Sequence, residues 1–166
     1  MGPLEGFLAT WSQARQTFGQ GLPAGGSQFD GSAALRRLQA EVESASPGDH
    51  WRSDAATAYA SANTAQAQVV GKLADLDARL AAEIDKSARV VTAGRAELDK
   101  IRDWVVTGAS SLQDNQDGQI MLIVSSGLGR LSAILSESNE ELNAIGAQIR
   151  QIGAEYTLLS RPNVAP

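Results

Sequence analysis

Apolar residues recur at helical spacing in four stretches, and clusters of glycine, proline and polar residues separate them. Leu4, Phe7, Leu8, Trp11 and Phe18 form the first stripe and predict a helix over 3–18. The glycine-rich segment from Gly19 to Ser32 reads as a loop. Leu35, Leu38 and Val42 form a second stripe, predicting a helix over 32–46 that stops at Pro47-Gly48. Helices this short need a packing partner. The third stretch runs without proline over 53–107, through Ala55, Tyr59, Ala62, Val69, Leu73, Leu76, Leu80, Ile84, Ala88, Val91, Leu98, Ile101 and Val105. At 1.5 Å per residue it predicts a rod about 80 Å long, weakened only at Gly71 and Gly94 by about 1 kcal/mol each. After a break at 107–119, Leu128, Leu131, Leu135, Ser138, Leu142, Ile145, Ile149, Ile152, Tyr156 and Leu159 follow a 3-4-3-4 spacing, a heptad seam with Ser138 as its one polar member. This predicts a fourth helix over 118–160.

Two long helices joined by a short loop become antiparallel neighbours. The expected fold is therefore all-α: an elongated antiparallel helical bundle in one domain over 1–160, the two short helices packed along one end. No alternating Val/Ile/Thr-rich run competes for a strand. Residues 161–166, RPNVAP, read as a linker or tail, with the expectation that the chain is the front part of a longer protein.

Composition narrows the chemistry. Aromatic residues make up 5% of the chain and much of its apolar content is alanine, which suits closely approaching helices. A net charge of -5, with basic residues interspersed among acids, argues against nucleic acid as a main partner. The chain has no cysteine, which removes disulfides, thiolate metal sites and cysteine nucleophiles. Its single histidine, His50, cannot build a multi-histidine metal site. The N-terminal stretch lacks the basic start and apolar run of a cleaved signal peptide. No segment approaches the roughly 20 apolar residues of a membrane span, so no transmembrane segment is expected.

A serine triad would have to use His50, which sits in the Pro-Gly turn, and no Gly-x-Ser-x-Gly elbow is present. The carboxylate pairs Asp75/Asp77 and Glu140/Glu141 read as solvated helix faces, and "DNQDGQ" reads as a turn rather than a calcium loop, lacking the remaining ligands and the closing glutamate. The expectation is a non-enzyme without cofactor or metal. The heptad seam reads as core. Phe7, Trp11 and Phe18 either cover a flank of the bundle or offer a surface to a partner helix.

The stretch "SPGDHWRSDAATAYASANTAQ", Ser46 to Gln66, adds a more specific signal. A helix ends, "PGDHW" reverses the chain, and a new helix begins with Ser53 as N-cap and Asp54 in its first turn. Read as structure alone, Trp51 plugs the turn end of the bundle. The spacing helix, Trp-x-small, helix resembles the WXG superfamily of type VII (ESX) secretion substrates, which are helical hairpins with a Trp-x-Gly turn. The longer run "PGDHWRSDAATAYASANTAQAQVVGKLADLDARLAAEIDKSARVV" is similar to the EspA/EspE family of mycobacterial substrates, virulence-associated proteins with a Pro-Gly-x-x-Trp turn, Ala-Ala-x-x-Tyr and Leu-x-x-Leu-Asp. The resemblance covers Pro47 to about Leu112 well.

On that resemblance Trp51, Ser53 and Tyr59 occupy the secretion-recognition motif, with Ser53 at the glycine position. It implies a secreted substrate or an N-terminal export module acting through helix–helix interaction. A small helical ESX-type partner or secretion chaperone would complete a Tyr-x-x-x-Asp/Glu signal. The location it implies is the cytoplasm before export, then the exterior or cell surface, without a cleaved leader. The chain departs from the motif: Asn63 follows Tyr59 by four residues and Ser160 follows Tyr156. Two further readings stand beside this one, a structural protein that self-associates as a homo-oligomer through its long helices, and the N-terminal module of a longer cell-wall hydrolase or toxin.

Overall fold

A computed structural model of the chain describes residues 2–45, 48, 53–113 and 115–161. Pro47, His50 and Trp51 of the expected turn, and 162–166 of the expected tail, lie outside the described residues. The order of elements is α1 (Pro3–Thr17), a 3-10 turn (Gly26–Phe29), α2 (Ser32–Ser44), α3 (Asp54–Ser110) and α4 (Asp117–Ser160). There is no strand among the described residues, and the chain is an all-α helical bundle.

The helix ends follow local chemistry. Pro3 begins α1, where a missing N–H costs nothing, and the Glu5 carboxylate accepts from the Gly2 N–H at 3.2 Å. Beyond α1, Gly19 and Gly21 take positive φ values of 71° and 79°, a region open to glycine without penalty. Before α4, the Gln116 side chain accepts from the Gln113 N–H at 3.0 Å, and its carbonyl accepts from Ile120 N–H at 3.1 Å to start the helix.

The described parts form two compact units, Met1–Ala24 with Lys86–Ile145 and Gly25–Asp85 with Gly146–Pro166. In the first, α1 packs on the second half of α3 and the first part of α4. Its core joins Phe7, Ala14, Leu98, Ile101, Val105, Val124 and Leu131. Gly108 lies against Ile123, and Gly127 lies against Val105 and Phe7, so α3 and α4 run antiparallel here. A side chain on Gly127 would occupy the space that Val105 and the Phe7 ring fill.

The second unit is built differently. Its buried apolar residues are mainly small: Ala56, Ala67, Val70, Ala74 and Ala81, with Leu76 and Ile152. On α2 no residue is buried, and Leu38 is 44% exposed. The α3 and α4 segments are again antiparallel, tied by an ion pair between Arg79 and Glu155 at 2.5 Å and a hydrogen bond from Tyr156 Oη to Asp77. Gly26 backs onto the Ala81 carbonyl so closely that a Cβ would overlap it, and its N–H donates to Asp85 Oδ1 at 2.5 Å. The glycine-rich loop is thus anchored at a defined point of α3.

One expectation needs correction. The first four turns of α3 bury Ala56, Asn63, Ala67 and Val70, whereas Ala55, Tyr59, Ala62 and Val69 face outward. The buried face is one residue out of step with the stripe of larger side chains, because α2 crosses on small residues. Further on, α4 is apolar enough by length and composition to cross a membrane, with an 18-residue window of mean hydropathy 1.4 of which 17% is buried. It contains no continuous apolar run of span length. Ile120 to Val124 and Leu128 to Leu135 raise the average across intervening serines and glycines.

Candidate functional site

The hairpin of α2 and α3 holds the residues of the expected recognition motif. Ser53 Oγ accepts from the Ala56 N–H at 3.1 Å, and its carbonyl accepts from Thr57 N–H at 3.0 Å. Ser53 is therefore the N-cap of α3, a role a glycine could not fill with a side-chain oxygen. Asp54 sits in the first turn, where its charge meets the positive end of the helix dipole. Tyr59 is 49% exposed, on the outward face of the first turns. Trp51 lies outside the described residues.

Asn63, four residues after Tyr59, is 7% exposed and its Nδ2 donates to the Val42 carbonyl in the last turn of α2. That carbonyl lies in the last turn of α2, where its only backbone bond among the described residues is a long one from the Ala45 N–H at 3.3 Å. An aspartate here would set an acceptor against an acceptor, so the departure from Tyr-x-x-x-Asp/Glu has a structural counterpart. The amide side chain closes the hairpin.

The aromatic residues of α1 are placed otherwise than a free partner surface requires. Phe7 is 1% exposed, at the centre of its unit. Trp11 is half-buried, with Nε1 donating to the Leu98 carbonyl at 2.7 Å and the Arg102 guanidinium 4.7 Å from its ring centre. The Phe18 ring rests on Gly94, where a side chain would collide with that ring. Of the two roles open to Phe7, Trp11 and Phe18, they take the covering one: these rings seal α1 onto α3. Beside them Thr17, Phe18, Val91, Leu135, Ser138 and Leu142 line an open groove of about 550 Å³, which accounts for the polar member of the heptad seam.

Three arrangements leave no trace in the sequence pattern. Arg95 on α3 donates to the Phe18 carbonyl through Nε at 3.2 Å and Nη2 at 2.7 Å, and through Nη1 to the Gly21 carbonyl. It caps the C-terminal end of α1, where carbonyls lack partners. Tyr156 donates to Asp77. Partial burial, then the hydrogen bond to Asp77 and its charge, push the phenol up to about 12. Trp104 is 40% exposed, with the Arg130 guanidinium 4.2 Å from its ring centre. The only available signal for this last site is the presence of a tryptophan beside the apolar stripe of α3 rather than on it.

The arrangement offers helix faces, aromatic and guanidinium stacks, and open grooves, the means of helix-to-helix recognition. Among the described residues, no three His, Cys, Asp or Glu side chains gather as a metal site. The fold and hairpin thus define an all-helical protein with a capped helix-turn-helix. The EspA/EspE family model matches residues 18–100, half of the chain, which takes in the loop, α2 and most of α3. The chain belongs to the EspA/EspE family, and so to the proteins associated with type VII secretion. No curated protein and no solved structure matches it.

Proposed function

We propose that this chain is a type VII secretion substrate, or the export module of one, which works by helix–helix interaction rather than catalysis. The observation that carries the reading is the family match over 18–100, which spans α2 and most of α3. The hairpin geometry supports it: Ser53 caps α3 and Tyr59 stands half-exposed on a surface of otherwise small residues. In this reading Trp51, Ser53 and Tyr59 form the recognition surface, and a small helical partner supplies the acidic position that Asn63 has given over to closing the hairpin. Export then takes the chain from the cytoplasm to the exterior or the cell surface.

The test is Trp51→Ala, followed by immunodetection of the chain in cells and in culture filtrate. Export should be lost while helicity and melting temperature stay within a degree or two of wild type, roughly the shift of a change below 0.5 kcal/mol. Normal export by the variant would sink the reading. A variant that fails to fold would assign Trp51 to end packing instead.

A further inference from the structure

On the unit that contains Lys86–Ile145, α3 and α4 enclose an open groove of about 480 Å³ between Ile101, Trp104, Ala133 and Ile134. Its rim carries Glu97 and Lys100 from α3 and Arg130 and Glu137 from α4. The helices run antiparallel, and Arg130 stacks on Trp104. Glu137 lies seven residues beyond Arg130, and Glu97 seven residues before Trp104. Two helical turns, about 10 Å, therefore separate a basic aromatic end from an end with two carboxylates.

Glu97 is paired with Lys100 at 2.6 Å. Among the described residues Glu137 and Arg130 have no ion-pair partner, and both are exposed. Among those same residues, the groove thus presents an unpaired cation and an unpaired anion on either side of its middle, around apolar lining and a half-exposed tryptophan. Trp and Arg are the side chains that most often anchor protein interfaces.

A layout that is positive at one end and negative at the other is complementary to itself. A two-fold axis through the groove's centre lays the basic end of one copy on the acidic end of the other, as an isologous dimer requires. A single-sign partner such as an anionic membrane would be attracted to one end and repelled by the other. We propose that this groove is a self-association face, in which Arg130 of each copy meets Glu137 of a second copy and the Trp104 ring of each copy covers apolar lining of the other. This inference is independent of the secretion reading.

The experiment is a charge-swap series on the full chain, followed by sedimentation equilibrium over a concentration range, with circular dichroism to confirm unchanged helicity. Wild type should show a monomer–dimer equilibrium that weakens with salt. Arg130→Glu and Glu137→Arg should each raise the dimer Kd by roughly tenfold or more, because each change acts twice in a symmetric dimer. The double variant should recover the dimer. An equimolar mixture of the two single variants should also recover the dimer, because both cross-contacts join a glutamate to an arginine when unlike copies pair, whereas each variant alone sets like charges against each other. If either swap reduces helicity, Arg130→Gln and Glu137→Gln replace it, each weakening the dimer without repulsion. A wild type that stays monomeric throughout overturns the proposal, whichever other partner the groove takes. So does a double variant that stays monomeric with its helicity intact.

Discussion

Around α1 the chain buries Phe7, Leu98, Ile101, Val105, Val124 and Leu131, whereas around α2 it buries a row of alanines and holds the helix by polar clamps. The same two long helices serve both units, so the difference lies in what the short helix brings. α1 brings large rings that need notches, at Gly94 and Gly127, and its attachment to the core is mostly apolar burial. α2 buries nothing outright. Its attachment rests on Asn63 reaching the Val42 carbonyl, on Gln39 lying over Gly71, and on the exposed pair of Arg36 with Asp75. An apolar core loses stability in proportion to the volume removed. A polar clamp fails when a single donor is lost.

Phe7→Ala should break this contrast most severely, costing about 3–5 kcal/mol in chemical denaturation through lost burial and a residual cavity. Hydrogen exchange should accelerate mainly in α1 and in α3 and α4 beside it, with smaller changes around α2. Gly26→Ala comes next, at roughly 2–3 kcal/mol, because the new Cβ meets the Ala81 carbonyl rather than a flexible side chain. Amides of the Gly26–Phe29 turn and of α2 should lose protection first.

Asn63→Asp should cost about 1–2 kcal/mol, since it turns the donor to the Val42 carbonyl into an acceptor. The same change places a carboxylate four residues after Tyr59, so an export assay on it separates hairpin closure from the acidic signal. The smallest effect at neutral pH belongs to Tyr156→Phe, about 1 kcal/mol for one hydrogen bond. Its signature is alkaline. Between about pH 10 and about 12 the unfolded chain gives up the phenolic proton while the folded chain keeps it. Stability contributed below pH 10 is therefore lost as the pH rises through that interval. The variant should show a shallower fall there than wild type, read from denaturation midpoints at stepped pH.

The heptad seam is legible because large aliphatic residues repeat without ambiguity, and Leu131, Ile145 and Ile152 lie buried along it. At the start of α3 the pattern and the buried face differ by one residue. In an alanine-rich helix both faces are plausible, and the pattern favours the face with Tyr59 and Val69, which the structure leaves outside. Ser53 is legible as a cap because capping needs only local chemistry. Arg95 and Asn63 are not, because a polar side chain that reaches a carbonyl on another helix leaves no periodic trace. Trp104 hides in a long helix whose apolar positions read as core, although it sits one position before buried Val105.

The contacts that hold α1 have a consequence for synthesis. Phe18 meets Arg95 across 77 positions and Trp11 meets Leu98 across 87, whereas Val42 meets Asn63 across 21. At roughly 5–20 residues per second, a ribosome takes several seconds to deliver the partners of α1 after the helix itself has emerged. The α2–α3 clamp is complete well before then. Throughout that delay Phe7, Trp11 and Phe18 are bare on the nascent chain. The adhesive stripe that the sequence displays at its N-terminus thus belongs to the protein while it is being made, and the finished molecule puts it away.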